Sequence, residues 1–154
     1  MEQIKLDAAS SRILRELQRD SRQTVQELSA KVGLSVSPCW RRVKELEATG
    51  VVRRYTALVE REKVGLSACI LAQVSLLRQT EGAAEQFESA MHACAEVIEC
   101  YSVTGDADYV IKVVLPDVKA YDAFLHRVMF KIKDIGTLRS MVVLREVKYE
   151  TALP

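Results

Sequence analysis

At 154 residues, 49% apolar and 28% charged, the chain can bury a core as one domain or two small ones, which excludes a disordered or fibrous protein. No apolar run approaches the roughly 20 residues that span a bilayer, and Met1-Glu2-Gln3-Ile4-Lys5 lacks the apolar stretch of a signal peptide, so a cytoplasmic protein with no membrane partner is expected. The net charge of +1 conceals a split: residues 1–64 carry 13 Lys/Arg against 9 Asp/Glu, residues 65–154 carry 9 against 12. The surplus in the first half is modest for a polyanion binder and favours two or more copies acting together.

Cys39, Cys69, Cys94 and Cys100 show neither C-x-x-C spacing nor a neighbouring His cluster. A zinc site or disulfide framework is therefore not expected, and reduced structural thiols are. His92 and His126 are isolated, with no paired nucleophile or metal-ligand spacing, so no cofactor and no enzyme are expected.

The first helix opens at Asp7, a natural N-cap, and turns Ile13, Leu14 and Leu17 inward until about Asp20. Residues 24–50 follow as two short helices around a tight turn. Val25, Leu28 and Val32 recur at helical spacing, Gly33 supplies the positive φ of the corner, and Leu34 plugs it. Ser35 and Ser37 are candidate caps of the second helix, and Pro38 falls in its first turn, where a missing N–H costs nothing.

Cys39, Val43 and Leu46 form the buried stripe of that second helix. At 100° per residue, Ser37, Arg41 and Lys44 fall opposite, with Trp40 and Glu45 on the shoulders. This is the pattern of a helix-turn-helix whose second helix enters a DNA major groove. An ordinary helical hairpin with a solvated charged face gives the same pattern. Ser37 is placed to touch phosphate or to cap. Trp40 suits a seal on the three-helix core better than a base-stacking role.

After Gly50, the run 51–59 has the β-branched and aromatic content of an extended strand, either a small wing or a lever between domains. Its Arg53 and Arg54 suit backbone phosphates or plain solvent. A charged connector follows, and Val64-Gly65-Leu66 marks a boundary: residues 1–50 form the helix-turn-helix domain, 51–64 the wing or linker strand, 65–154 the second domain.

Beyond the boundary the periodicity predicts a strand over 68–77, a helix over 83–93 with Ala84, Phe87 and Met91 inward, and a strand over 97–104. A turn at Gly105-Asp106-Ala107-Asp108 leads to a strand over 109–115, a helix opened by Pro116-Asp117, and a last strand over 138–149. The order βαββαβ is that of a ferredoxin-like sandwich. Its strands read apolar on both faces, Ile70, Ala72, Val74 and Leu76 alternating with Cys69, Leu71 and Leu77, which predicts a sheet-to-sheet homodimer.

With both halves placed, the chain resembles the Lrp/AsnC (feast/famine) family of transcription regulators along nearly its whole length. The residues that carry the resemblance are Leu6-Asp7, Val32-Gly33-Leu34-Ser35 with Pro38-Cys39 and Arg42-Val43, Gly50-Val51-Val52 with Tyr55 and Ala57, Glu99-Cys100, Thr104-Gly105-Asp106-Ala107-Asp108-Tyr109, and Glu146-Val147-Lys148. The resemblance implies an α+β protein: an N-terminal winged helix-turn-helix domain plus a C-terminal βαββαβ ferredoxin-like sandwich. It implies double-stranded DNA as partner, a small-molecule effector, usually an amino acid, and homodimers assembling into octamers or similar rings.

On that resemblance the DNA-binding set is Ser35, Ser37, Trp40, Arg41, Arg42, Lys44, Arg53 and Arg54. The effector set is Thr104, Gly105, Asp106 and Asp108 from the turn, with Thr137, Leu138, Arg139 and Ser140 from the last strand of a neighbouring subunit. Glycine-turn amides suit a carboxylate and an aspartate suits an ammonium, although Asp106 and Asp108 also serve as plain turn formers. Two departures stand out: Arg54 replaces a frequent glycine, and Ala107 a frequently bulky residue. Pro38-Cys39-Trp40 with the ending Lys148-Tyr149-Glu150-Thr151-Ala152-Leu153-Pro154 looks like a cysteine-sensing branch. Haem-pathway decarboxylases are similar in both domains, and a sequence-tolerant architectural DNA binder is the third reading.

Overall fold

The computed structural model describes residues 4–77 and 81–153, and the opening Met1-Glu2-Gln3 and the closing Pro154 discussed above lie outside them. The chain divides into two compact units, Met1–Leu58 with Lys148–Pro154, and Val59–Val147. Residues 148–154, drawn with the second domain from the sequence, thus group with the first. The amide of Leu153 donates to Gln18 Oε1 at 2.7 Å, a partner 135 residues away that no local pattern announces.

The first unit holds α1 (Ala8–Arg19), α2 (Val25–Val32) and α3 (Val36–Ala48). Asp7 caps α1, its carboxylate accepting from the Ser10 amide at 2.7 Å. Thr24 and Glu27 form a reciprocal capping box on α2, and Gly33 ends that helix at φ 69°, in the left-handed region. Ile13, Leu28, Val32, Cys39, Val43 and Leu46 bury together, with Leu14 and Leu17 packed against them.

Run 51–59 forms no strand. A strand needs a partner edge, and among the described residues this chain supplies none there. Ser35, not Ser37, is the N-cap of α3, and it makes no side-chain capping bond.

The second unit starts with a short 3₁₀ turn (Arg61–Val64) and continues through β1 (Ala68–Leu76), α4 (Glu81–Ala93), β2 (Val97–Ser102), β3 (Tyr109–Leu115), α5 (Val118–Arg127) and β4 (Ile135–Val142). The four strands are antiparallel in the order β2-β3-β1-β4. This is the ferredoxin-like sandwich that the pattern predicts. The last strand begins and ends earlier than expected: its ladder on β1 closes with Val142 opposite Ile70 and the Val143 amide donating to the Cys69 carbonyl at 2.9 Å, and residues 144–149 leave the sheet.

One face of the sheet packs on the helices. Ile70, Ala72 and Val74 of β1 and Ile111, Val113 and Leu115 of β3 bury against Phe87 and Met91 of α4 and Tyr121 and Phe124 of α5. The Phe87 and Tyr109 rings sit 4.5 Å apart. The opposite face is mixed rather than apolar throughout. Leu71, Val110 and Met141 alternate with Gln73, Lys112 and Arg139, and Lys112 pairs with Glu99 at 3.2 Å. On that face of the β1–β3 ladder, among the described residues, both partners are buried only at Cys69↔Val114.

Candidate functional site

Helix α3 divides its residues as its periodicity requires. Cys39, Val43 and Leu46 are buried, whereas Ser37, Arg41 and Lys44 are exposed along the opposite side. The exposed cations are not equivalent. Lys44 Nζ donates to Glu47 Oε2 at 2.7 Å, and the other oxygen of Glu47 accepts from the Tyr55 hydroxyl at 3.0 Å. Lys44 and Tyr55 hold the Glu47 carboxyl below its ordinary range, and burial together with Glu47 pushes the Tyr55 phenol up to about 12. Arg41 has no ion pair among the described residues.

Arg42 departs from the expected set. Its guanidinium turns inward to Asp7 Oδ2 and to Ser10 Oγ, 3.1 Å away, so it braces α3 against the start of α1 instead of facing outward. The Ser10 amide and hydroxyl and then Arg42 hold the Asp7 carboxyl down at about 2. Trp40 corrects the sequence reading in the other direction. It is 53% exposed, so it seals no core, and Val36 one turn earlier is 44% exposed. Arg53 and Arg54 are exposed in the irregular segment after α3.

In the second unit, strand alternation splits the expected effector set. Thr137 and Arg139 lie on the sheet face away from the helices, and with Gln73, Ser75, Asp106 and Ala107 they line a cavity of about 120 Å³. Leu138 packs into the core opposite Val74, and Ser140 pairs with the Tyr121 hydroxyl at 2.6 Å on the helix side. Four successive strand residues cannot all face one ligand, because side chains alternate.

The turn shows a similar division. Gly105 adopts φ 121°, a backbone that favours glycine. Asp108 does structural work: its carboxylate accepts from the Leu76 amide at 2.7 Å, and its own amide donates to Val74 O at 3.0 Å. Thr104 and Gly105 are exposed and do not line the cavity, whereas Asp106 does, its carbonyl accepting from the Ser75 hydroxyl. Gln73 and Ser75 escaped the sequence reading. Their signal was available, since they are the two polar residues of an otherwise apolar β1.

The thiols of Cys39 and Cys94 are pushed up from their ordinary value, mainly by burial, which keeps them protonated. Cys69 is also buried, but Cys100 is exposed, unlike the other three. No cluster of three metal-ligating side chains occurs among the described residues.

Two family models match the chain, the Lrp/AsnC ligand binding domain over residues 69–153 and a winged helix-turn-helix DNA-binding model over residues 6–53. The leucine-responsive regulatory protein of Klebsiella pneumoniae is 38% identical over 148 residues, spanning 96% of this chain and 90% of that protein. A transcriptional regulator from Neisseria meningitidis, solved as its L-Met complex, superposes with a TM-score of 0.92 at 37% identity over 97% of each chain. The feast or famine regulatory protein from M. tuberculosis, complexed with L-methionine, gives 0.84 at 32% identity over 96% of this chain and 97% of that one.

Proposed function

The chain belongs to the Lrp/AsnC family of transcriptional regulators, and we propose that it reads DNA through α3 and senses an amino acid in the cavity beside the Gly105 turn. It is a DNA-binding regulator whose activity a small molecule modulates. The observation that carries the amino-acid reading is the pairing of opposite charges on one small cavity: Asp106 on the turn and Arg139 on β4. An α-amino acid presents the complementary pair, its ammonium to Asp106 and its carboxylate to Arg139. L-methionine bound to two similar regulators supports that class of ligand.

On DNA, Arg41 forks onto a guanine edge while Lys44, Arg53 and Arg54 contact phosphates, the lysine after release from Glu47. Ser37 adds a phosphate contact from the first turn. The protein acts in the cytoplasm as a homodimer whose two α3 helices enter successive major grooves about 34 Å apart, and dimers assemble further around the effector cavity. Of the other readings, a haem-pathway decarboxylase has the least support, since the chain has two histidines in all and only His92 lines a cavity among the described residues.

Selection of bound fragments from genomic DNA, with and without each of the twenty amino acids, tests the whole reading. A recurrent pseudo-palindrome whose occupancy shifts with one or a few amino acids is expected. Fragments of random sequence, unaffected by any of them, would overturn it.

A further inference from the structure

The outer side of α3 carries two kinds of surface. Ser37, Arg41 and Lys44 make the polar ridge, and beside it Val36 and Trp40 sit one turn apart with 44% and 53% of their surface in water. A single exposed apolar residue needs no explanation. Two adjacent ones, a β-branched residue and the sole tryptophan, at positions N1 and N5 of a helix whose N-terminal half faces base edges, are a different matter. Neither belongs to the apolar cluster of the first unit.

In the major groove, hydrogen-bonding groups distinguish most base edges, but thymine also offers a bare methyl group at C5. Resting on the proposal that α3 reads DNA, we infer that Val36 and Trp40 form an apolar clamp for thymine methyl groups, so that one strip of the helix reads guanine through Arg41 and the strip beside it reads thymine by exclusion of water. The cationic ridge directs this apolar pair to a polyanion rather than to another apolar protein surface. Contact with the C5 methyl buries apolar surface on both partners and leaves no polar group unsatisfied.

The test compares one selected duplex with the same duplex carrying deoxyuridine for every thymine in the footprint, a change that deletes only methyl groups. Wild-type protein should bind the uracil duplex more weakly by about fourfold per contacted methyl, the weight of one buried methyl group. Val36→Ala combined with Trp40→Ala should bind both duplexes alike, while Arg41→Ala weakens binding to both and keeps the thymine-to-uracil ratio. Both substituted side chains are about half exposed, and a thermal melt confirms folding. The wild-type comparison needs no variant at all.

Equal wild-type affinity for the two duplexes would overturn the clamp while leaving the DNA-reading proposal intact. So would a ratio that survives in the double variant, including the case where that variant dissociates the oligomer because the pair packs on a second copy. Failure to prefer any duplex would instead sink the reading on which the inference rests.

Discussion

The two units are stabilised by different means. In the second, fourteen buried side chains among the described residues form one core around Phe87, Ile111 and Phe124, and polar residues mostly stay at the periphery. In the first, six buried side chains close the three helices, and polar groups carry the remaining joints. Arg42 reaches Asp7 and Ser10, and Arg12 donates to the Val32 carbonyl at 3.1 Å. A small core leaves the outer helix faces free for recognition, but some of its charges are already committed to folding. The sheet unit has apolar surface enough that Gln73, Ser75 and Arg139 can stay out of its core and line a cavity.

Deleting one core side chain from each unit should separate the two most strongly. Phe87→Ala should cost about 3–5 kcal/mol, and Ile13→Ala about 2–5 kcal/mol. The smaller absolute loss in the first unit should lower its melting temperature further, because its core is smaller. Calorimetry resolving two transitions checks this; equal shifts would show that the units do not differ as described.

Gly33→Ala forces a side chain into the left-handed region at φ 69° and should cost the first unit about 1 kcal/mol, read from chemical denaturation. The Asp7–Arg42 joint should show itself in acid. Because the folded Asp7 carboxyl titrates near 2, below its ordinary 3.8, its contribution is intact above about pH 4 and disappears as pH falls toward 2. The melting temperature of the first unit should fall across that window in the wild type, with a shallower fall in Asp7→Asn. Arg42→Ala should lower the melting temperature at neutral pH and leave the salt dependence of DNA binding unchanged.

The smallest effect concerns Lys44. Glu47→Ala removes the carboxylate that competes with phosphate, and non-specific DNA affinity should rise by roughly 0.2–1 kcal/mol in a fluorescence anisotropy titration. Unchanged affinity would place Lys44 outside the DNA interface.

Periodicity made the three helices and the βαββαβ order legible, since Val43 and Leu46, or Ile70 and Val74, repeat at the spacing their elements demand. The brace from Arg42 to Asp7 was not legible because the two are 35 residues apart in sequence. Trp40 was misread because size and aromaticity suggest burial, whereas its angular position on α3 does not. Leu138 and Ser140 entered the effector set through resemblance, and strand alternation alone turns both toward the helix side of this chain's sheet. The run 51–59 has strand propensity without a partner, and propensity alone makes no ladder.

Anisotropy titrations of wild type and Arg41→Ala against a selected and a random duplex, over a series of salt concentrations, decide whether the exposed edge of α3 reads sequence. Wild type should prefer the selected duplex, and Arg41→Ala should lose about 1–3 kcal/mol of that preference while still binding random DNA. If the variant keeps the full preference, or the wild type shows none at any salt concentration, α3 is not the reading element.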